Sequence, residues 1–427
     1  METQGNIEID LRHALLMIAR ALDYVGIDDI NHSHRVAYMA YECAKRLGWE
    51  ESKAKFAYYT GLVHDSGVSS TDEHSQLVWH LEPEGVREHC VRGHEELKNC
   101  PLLEKFAVPV LYHHTQWQEL LEADISDYDR DISAIVYLAD RLDFLRNYLT
   151  QSIHHEAVTL HAEIISEHLN KQSGTMFEPG MVDAMCELVT MEGFWYNMDP
   201  SYIELLAVAE ESDQDYCHNL PISEVIQLAK FIARIVDAKS TFTYQHSEKV
   251  ALLATMVAEE MGLSKQKIDL IYVAGLMHDI GKLRTPDNIL HKESELTKEE
   301  FTRIRRHTVD TEYTLRSFFH SSDVSVWAAN HHERLDGSGY PYHKTAEQLD
   351  LPSRIIAVAD IFQALSQERP YRQRRYTSDE IIDKLTPLAE NDKIDTDVLG
   401  VIKKDPQKYY QASVMDPETP VPGYCDS

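Results

Sequence analysis

The sequence is short of the features that would place it in an oxidising compartment or a membrane. Six cysteines, Cys43, Cys90, Cys100, Cys186, Cys217 and Cys425, are spread over 427 residues. No two form a CxxC pair, so neither a zinc ribbon nor a disulfide scaffold is indicated. No apolar run reaches the roughly 18 residues of a membrane-spanning helix, and no basic-then-apolar leader opens the chain. The location expected is the cytoplasm. Positive charge is scarce as well: 41 Lys+Arg stand against 71 Asp+Glu, a formal net charge of −30. Such a chain is a poor partner for DNA or RNA polymers and for anionic membranes. Any phosphate it binds must be attracted locally, by metal ions or a few placed cations.

Alternating strand patterns are also rare, and helical periodicity takes their place. Leu11, Leu15, Ile18 and Leu22 recur at three- to four-residue spacing, as do Val225, Ile226, Ala229, Ile232, Ala233 and Val236. The expected fold is all-α, with a short irregular or hairpin segment near Asp336-Gly337-Ser338-Gly339.

What is abundant is histidine, 23 in all, and the histidines fall in a repeat. Asn31-His32-Ser33-His34-Arg35-Val36 is echoed by Gln245-His246-Ser247-Glu248-Lys249-Val250, an offset of 214. Gly61-Leu62-Val63-His64-Asp65-Ser66-Gly67 is echoed at the same offset by Gly275-Leu276-Met277-His278-Asp279-Ile280-Gly281. Further on, His94 is matched with His307, His113-His114 with His331-His332, and Ala139-Asp140 with Ala359-Asp360. Two domains follow: residues 1–209, an acidic linker 210–220, a second domain 221–415 with Pro221 in its first turn, and a loose polar tail 416–427.

In the second half the repeat supplies His246, His278, Asp279, His307, His331, His332 and Asp360. Imidazole nitrogens suit first-row transition metals, and a carboxylate can bridge two ions. Two such ions can clamp a phosphoryl group for in-line attack. Successive helical residues point about 100° apart, so His278 and Asp279 can serve different positions of one cluster, with Asp279 as the bridge. One histidine in a helix means little; two sets of seven in one order mean a great deal.

His278-Asp279-Ile280-Gly281-Lys282, then His331-His332-Glu333-Arg334-Leu335-Asp336-Gly337-Ser338-Gly339-Tyr340-Pro341, then Asp360 and Arg369-Pro370-Tyr371-Arg372, resemble an HD-GYP domain over residues 220–410. The resemblance implies two helical HD-type domains in tandem. It implies a two- or three-metal site, usually of iron or manganese, and hydrolysis of a cyclic dinucleotide such as c-di-GMP or cGAMP. It makes the seven second-half residues metal ligands, Asp279 and Lys282 catalytic, and Lys282, Tyr340, Arg369 and Arg372 substrate contacts. Arg374 and Arg375 would extend that basic patch. Third-metal members carry a Glu four residues before the first His; here that position is Phe242, so two ions are expected.

The first half resembles a degenerate copy. Its ligand set, His32, His64, Asp65, His94, His113, His114 and Asp140, is complete, and Asp28 stands where the second half has Phe242. A second metal site is therefore expected there. Val68 replaces Lys282, no Gly-Tyr-Pro follows His114, and Asp140 is followed by Arg141, Asp143, Arg146 and Asn147 rather than Arg-Pro-Tyr-Arg. Little turnover of cyclic dinucleotides is expected from this half; dimerisation, regulation or another phosphate ester would be its business. An incomplete HD domain ahead of a full HD-GYP domain is similar to certain bacterial cGAMP phosphodiesterases, some of which also remove the 5′-phosphate from the linear product. The expected product is pApG from 3′,3′-cGAMP, with c-di-GMP the next candidate. The competing readings are a cyclic-dinucleotide-binding regulator with little turnover, and a mixed-valent di-iron oxygenase on the same scaffold.

Overall fold

The computed structural model describes residues 7–23, 31–68, 86–150, 155–199, 202–203, 217–239, 245–292, 294–319, 323–367 and 374–415. Among them the chain is overwhelmingly helical, as expected, and divides into two compact units: Asp10–His218, and Asn219–Ser427 together with the segment up to Ile9. Two short strands, β1 (Ile7–Asp10) and β2 (Cys217–Leu220), pair with each other. The acidic stretch expected as a linker lies outside the described residues up to 216, and its last four residues are strand rather than linker. The tail from 416 also lies outside them.

In the N-terminal unit the helices used below are α1 (Leu11–Asp23), α2 (His32–Arg46), α3 (Glu51–Val63), α4 (Val86–Lys98), α5 (Ala107–Tyr112) and α6 (Asp127–Thr150). Its core is built on α2 and α6, whose Val36, Met39, Ala40, Ile135, Leu138 and Leu142 are buried.

The C-terminal unit repeats the plan with α7 (Ile222–Lys239), α8 (His246–Glu260), α9 (Lys265–Met277), α10 (Lys298–Arg305), α11 (His307–Phe318), α12 (Val324–Ala329) and α13 (Leu351–Ser366). Val250, Ala254 and Val257 of α8 and Ile355, Val358 and Phe362 of α13 are buried. Helix α13 starts sharply because the Asp350 side chain accepts the Ser353 N–H at 3.2 Å and Pro352 occupies the first turn. The segment after α12 is a loop rather than a hairpin: one antiparallel bridge, Asp336 to Thr345, closes it. Among the described residues no helix is long and apolar enough to cross a membrane.

Candidate metal centres

The C-terminal unit brings its ligand candidates together by ending helices at one place. His246 is the first residue of α8, His278 caps α9, His307 opens α11, and His331 and His332 lie in the 3-10 turn that follows α12. Asp360 alone is mid-helix, on α13. The residue before His246, Gln245, takes a left-handed conformation at φ 64°, and Asn31 before His32 does the same at φ 82°. Both units thus accept an uncommon backbone geometry at the same point, just where the first ligand is aimed.

Asp279 lies at the centre. Its Oδ2 is 3.3 Å from His278 Nε2 and 3.7 Å from His246 Nε2. Its Oδ1 is 3.6 Å from both His307 Nε2 and His331 Nε2. Asp360 Oδ1 completes the first side, 3.4 Å from His246 Nε2. The atoms therefore fall into two half-sites, His246-His278-Asp360 and His307-His331-His332, with one oxygen of Asp279 for each.

Outer hydrogen bonds fix four of the five rings. His278 Nδ1 lies 2.7 Å from Gly275 O, His307 Nδ1 2.6 Å from Ile304 O, and His331 Nδ1 2.6 Å from Ala328 O. A carbonyl only accepts, so Nδ1 carries the proton and Nε2 presents its lone pair inward. His246 does the same toward Gln363 Oε1 at 2.5 Å.

A metal fits this arrangement on three observations. His307 Nε2 and His331 Nε2 face each other at 3.2 Å, and with both protons on Nδ1 neither can donate to the other. Burial pushes the His307 imidazole down to about 4 and His331 well below its usual value, so neither ring is relieved by protonation. His278 Nε2 and Asp279 Oδ1 are buried with no hydrogen-bond partner, a costly condition that a cation would remove. Burial alone would also disfavour charge on Asp279, but His278 and Lys282 outweigh it and keep the carboxyl well below its usual range. Burial would lower His278, but Asp279 raises it to about 9, so its Nε2 lone pair is presented once a bound cation displaces that proton.

Lys282 Nζ sits 2.5 Å from Asp279 Oδ2, in the 3-10 turn Ile280–Arg284. Gly281 makes that turn possible: a Cβ there would lie 2.0 Å from His307 O. The loop carrying Tyr340 is pinned by buried Glu333, whose carboxylate accepts the N–H groups of Tyr342 at 2.7 Å and Lys344 at 3.1 Å. The Tyr340 ring leans on His332, centroids 4.8 Å apart at 36°. Arg369, Arg372, Phe242 and Asp28 lie outside the described residues. Arg374, expected to extend the basic patch, is paired with Glu380 at 2.5 Å on the surface.

The N-terminal unit repeats the geometry, with one correction. Asp65 Oδ2 faces His64 at 3.4 Å and His32 at 3.8 Å, and Asp65 Oδ1 faces His113 at 3.9 Å. The remaining place is filled by His89, not His94. His89 Nε2 is 3.7 Å from Asp65 Oδ1 and 3.2 Å from His113 Nε2, matching His307 atom for atom, while His94 turns its Nδ1 to Ala107 O at 3.0 Å. Five residues along a helix is a rotation of about 140°, so α4 cannot aim both at the cluster. The backbone agrees: a Cβ on Gly67 would meet His89 O at 1.9 Å, as one on Gly281 meets His307 O. His114 Nε2 is 3.6 Å from Asp140 Oδ2. Two groups gather, His32-His64-Asp140 and Asp65-His89-His113-His114.

What surrounds this cluster differs. His32 Nδ1 meets Asp143 Oδ2 at 2.8 Å, where the other unit offers the neutral Gln363. Asp143 is in turn held by Arg35 at 2.7 Å, and buried Arg141 contacts Asp140 Oδ2 at 2.7 Å. Val68 stands at the lysine position, buried.

Residues 29–145 and residues 230–398 each match the HD domain family. The 3′3′-cGAMP-specific phosphodiesterase 1 of Vibrio cholerae serotype O1 is 42% identical over 416 residues, 97% of this chain and 96% of that protein. The cyclic di-GMP phosphodiesterase response regulator RpfG of Xanthomonas campestris is 38% identical over 145 residues, 33% of this chain and 38% of its own length. Among solved structures, a cyclic GMP-AMP specific phosphodiesterase of Vibrio cholerae (V-cGAP3) superposes with a TM-score of 0.63 at 21% identity, covering 97% of this chain and 99% of that one, a likeness of fold.

Proposed function

This chain belongs to the HD-domain family in its tandem form, and from that premise we propose that its C-terminal unit hydrolyses a cyclic dinucleotide to a linear one. The substrate assigned is 3′,3′-cGAMP before c-di-GMP, with pApG as the product. The observation that carries the reading is Asp279, which gives one oxygen to each of two histidine half-sites while Lys282 stands against it. The near full-length likeness to a protein named for cGAMP supports the substrate.

The ions assigned are two divalent transition metals, iron or manganese, held by His246, His278, Asp279, His307, His331, His332 and Asp360. When bound, such ions polarise a phosphoryl oxygen and make water acidic enough to attack at neutral pH. The chain's own residues do the rest. The Nδ1–H bonds to carbonyls and to Gln363 keep Nε2 of His278, His307, His331 and His246 turned to the centre. Lys282 Nζ, only part-buried, supplies positive charge for a non-bridging phosphate oxygen as negative charge builds there. Tyr340, packed on His332, offers a hydroxyl that burial keeps protonated.

The N-terminal unit is assigned a metal site of its own, with little action on cyclic dinucleotides. Regulation, homodimerisation or removal of the 5′-phosphate from the product are the roles left to it. The thin spread of six cysteines with no CxxC pair supports a reducing, cytoplasmic setting.

The test is a product assay. Protein loaded with Fe(II) or Mn(II) should convert cGAMP, then c-di-GMP, to linear dinucleotides, and chelation should stop it. Tight binding without turnover under either metal would favour the regulator instead. Oxygen consumption with a small organic substrate would favour the oxygenase.

A further inference from the structure

Arg305 is a cation in an unusual position for a chain of net charge −30. Its guanidinium carbon lies 4.6 Å from the Phe301 ring centroid and 4.9 Å from that of Tyr340. The two rings stand 6.2 Å apart at 79°. Three other arginines of this unit are paired: Arg306 and Arg284 with Asp310, both at 3.3 Å, and Arg316 with Glu312 at 3.1 Å. Among the described residues no carboxylate pairs with Arg305; its side-chain contacts are the two aromatic faces.

The mount is firm. Phe301 and Arg305 are four apart on one face of α10, and a capping box starts that helix, Thr297 accepting Glu300 N–H at 3.2 Å and Glu300 accepting Thr297 N–H at 2.7 Å. Lys292 holds Glu300 at 2.6 Å. Tyr340 is fixed in turn by its packing on His332. Arg305 is thus joined to the candidate metal centre through a single ring, while it and Phe301 remain exposed.

We propose that Arg305, seated in the corner formed by Phe301 and Tyr340, binds the second phosphate of the cyclic dinucleotide, the one not being cleaved. This rests on the function proposed above. A cyclic dinucleotide carries two phosphodiesters, and the half-sites with Lys282 account for one. Aromatic neighbours hold a guanidinium without adding negative charge, so its N–H groups keep their attraction for an incoming anion. A phosphate accepts such N–H groups in pairs.

The experiment compares wild type, Arg305→Ala, Arg305→Lys and Phe301→Leu in the metal-loaded full chain. KM and kcat are measured for cGAMP, c-di-GMP and c-di-AMP, and metal per chain is measured for each variant. Arg305→Ala should raise KM roughly tenfold to a hundredfold, as loss of a charge-assisted hydrogen bond does, with kcat moving far less. It should also flatten the salt dependence of KM. Arg305→Lys should recover part of the loss because the charge is kept, and Phe301→Leu should fall between. An unchanged KM in Arg305→Ala, or a fall in kcat alone, overturns the proposal. So does a loss confined to guanine-containing dinucleotides that lysine does not restore, which would make Arg305 a base reader. A wild type that neither binds nor cleaves any of the three overturns the proposed function, and this inference with it.

Discussion

The two units hold the same constellation in different company. Each places a central aspartate between two groups of histidines, with matching distances: His307 to His331 and His89 to His113 are both 3.2 Å. Each precedes its first ligand with a left-handed residue. Around that common set the charges are rearranged. The C-terminal unit has Lys282 on the bridging aspartate, neutral Gln363 behind His246, and Tyr340 against His332. The N-terminal unit has Val68, the Asp143–Arg35 pair behind His32, and Arg141 on Asp140. On the proposed function, holding metal and cleaving substrate are separable properties: the first needs only the ligands, the second needs a cation and a substrate wall facing outward. Arg141 and Lys282 each bond a carboxylate of their own cluster, but Arg141 is fully buried whereas Lys282 is part-buried and can reach an incoming phosphate.

The comparison can be sharpened at the lysine first. Lys282→Ala should lower kcat on cGAMP by about 10²–10³, the usual cost of one electrostatic donor, with metal content unchanged. The reverse change, Val68→Lys, should confer nothing, because no Tyr340-like wall accompanies it; steady-state kinetics of the two variants checks both statements. A smaller and more local effect separates the neighbouring histidines of α4. His89→Ala should weaken metal binding by the N-terminal unit by at least the 10–100-fold typical of a lost supporting residue, whereas His94→Ala should leave it near wild type. Metal titration in an Asp279→Ala background isolates that unit and reads the difference.

The helical class and the residues that cluster around Asp279 were legible because both leave periodic or repeated marks. Apolar residues at three- to four-residue spacing define a buried face, and a dipeptide such as His278-Asp279 stands out when His64-Asp65 repeats it. His89 was missed because His94 also fitted an approximate offset. The signal was nonetheless present: His89 to His307 and His113 to His331 share one offset, 218, which His94 breaks. Asp143 and Gln363 leave no mark of that kind, since a single polar residue on an apolar helix becomes a support only when the fold brings a histidine to it. Strand β1 did carry its alternation, Ile7-Glu8-Ile9-Asp10, yet four residues are too few to stand out against a helical chain. Phe301 and Arg305 show the ordinary four-residue helical spacing, and only the folded position of Tyr340 completes the corner around Arg305.

The central claim is that one of two near-identical centres cleaves the substrate. The direct measurement is chromatography of the products from cGAMP using wild type, Asp65→Ala and Asp279→Ala, each loaded with the same metal. The account predicts linear dinucleotide from wild type and from Asp65→Ala, within a few-fold of each other, and none above background from Asp279→Ala. Turnover surviving in Asp279→Ala, or lost only in Asp65→Ala, would contradict it.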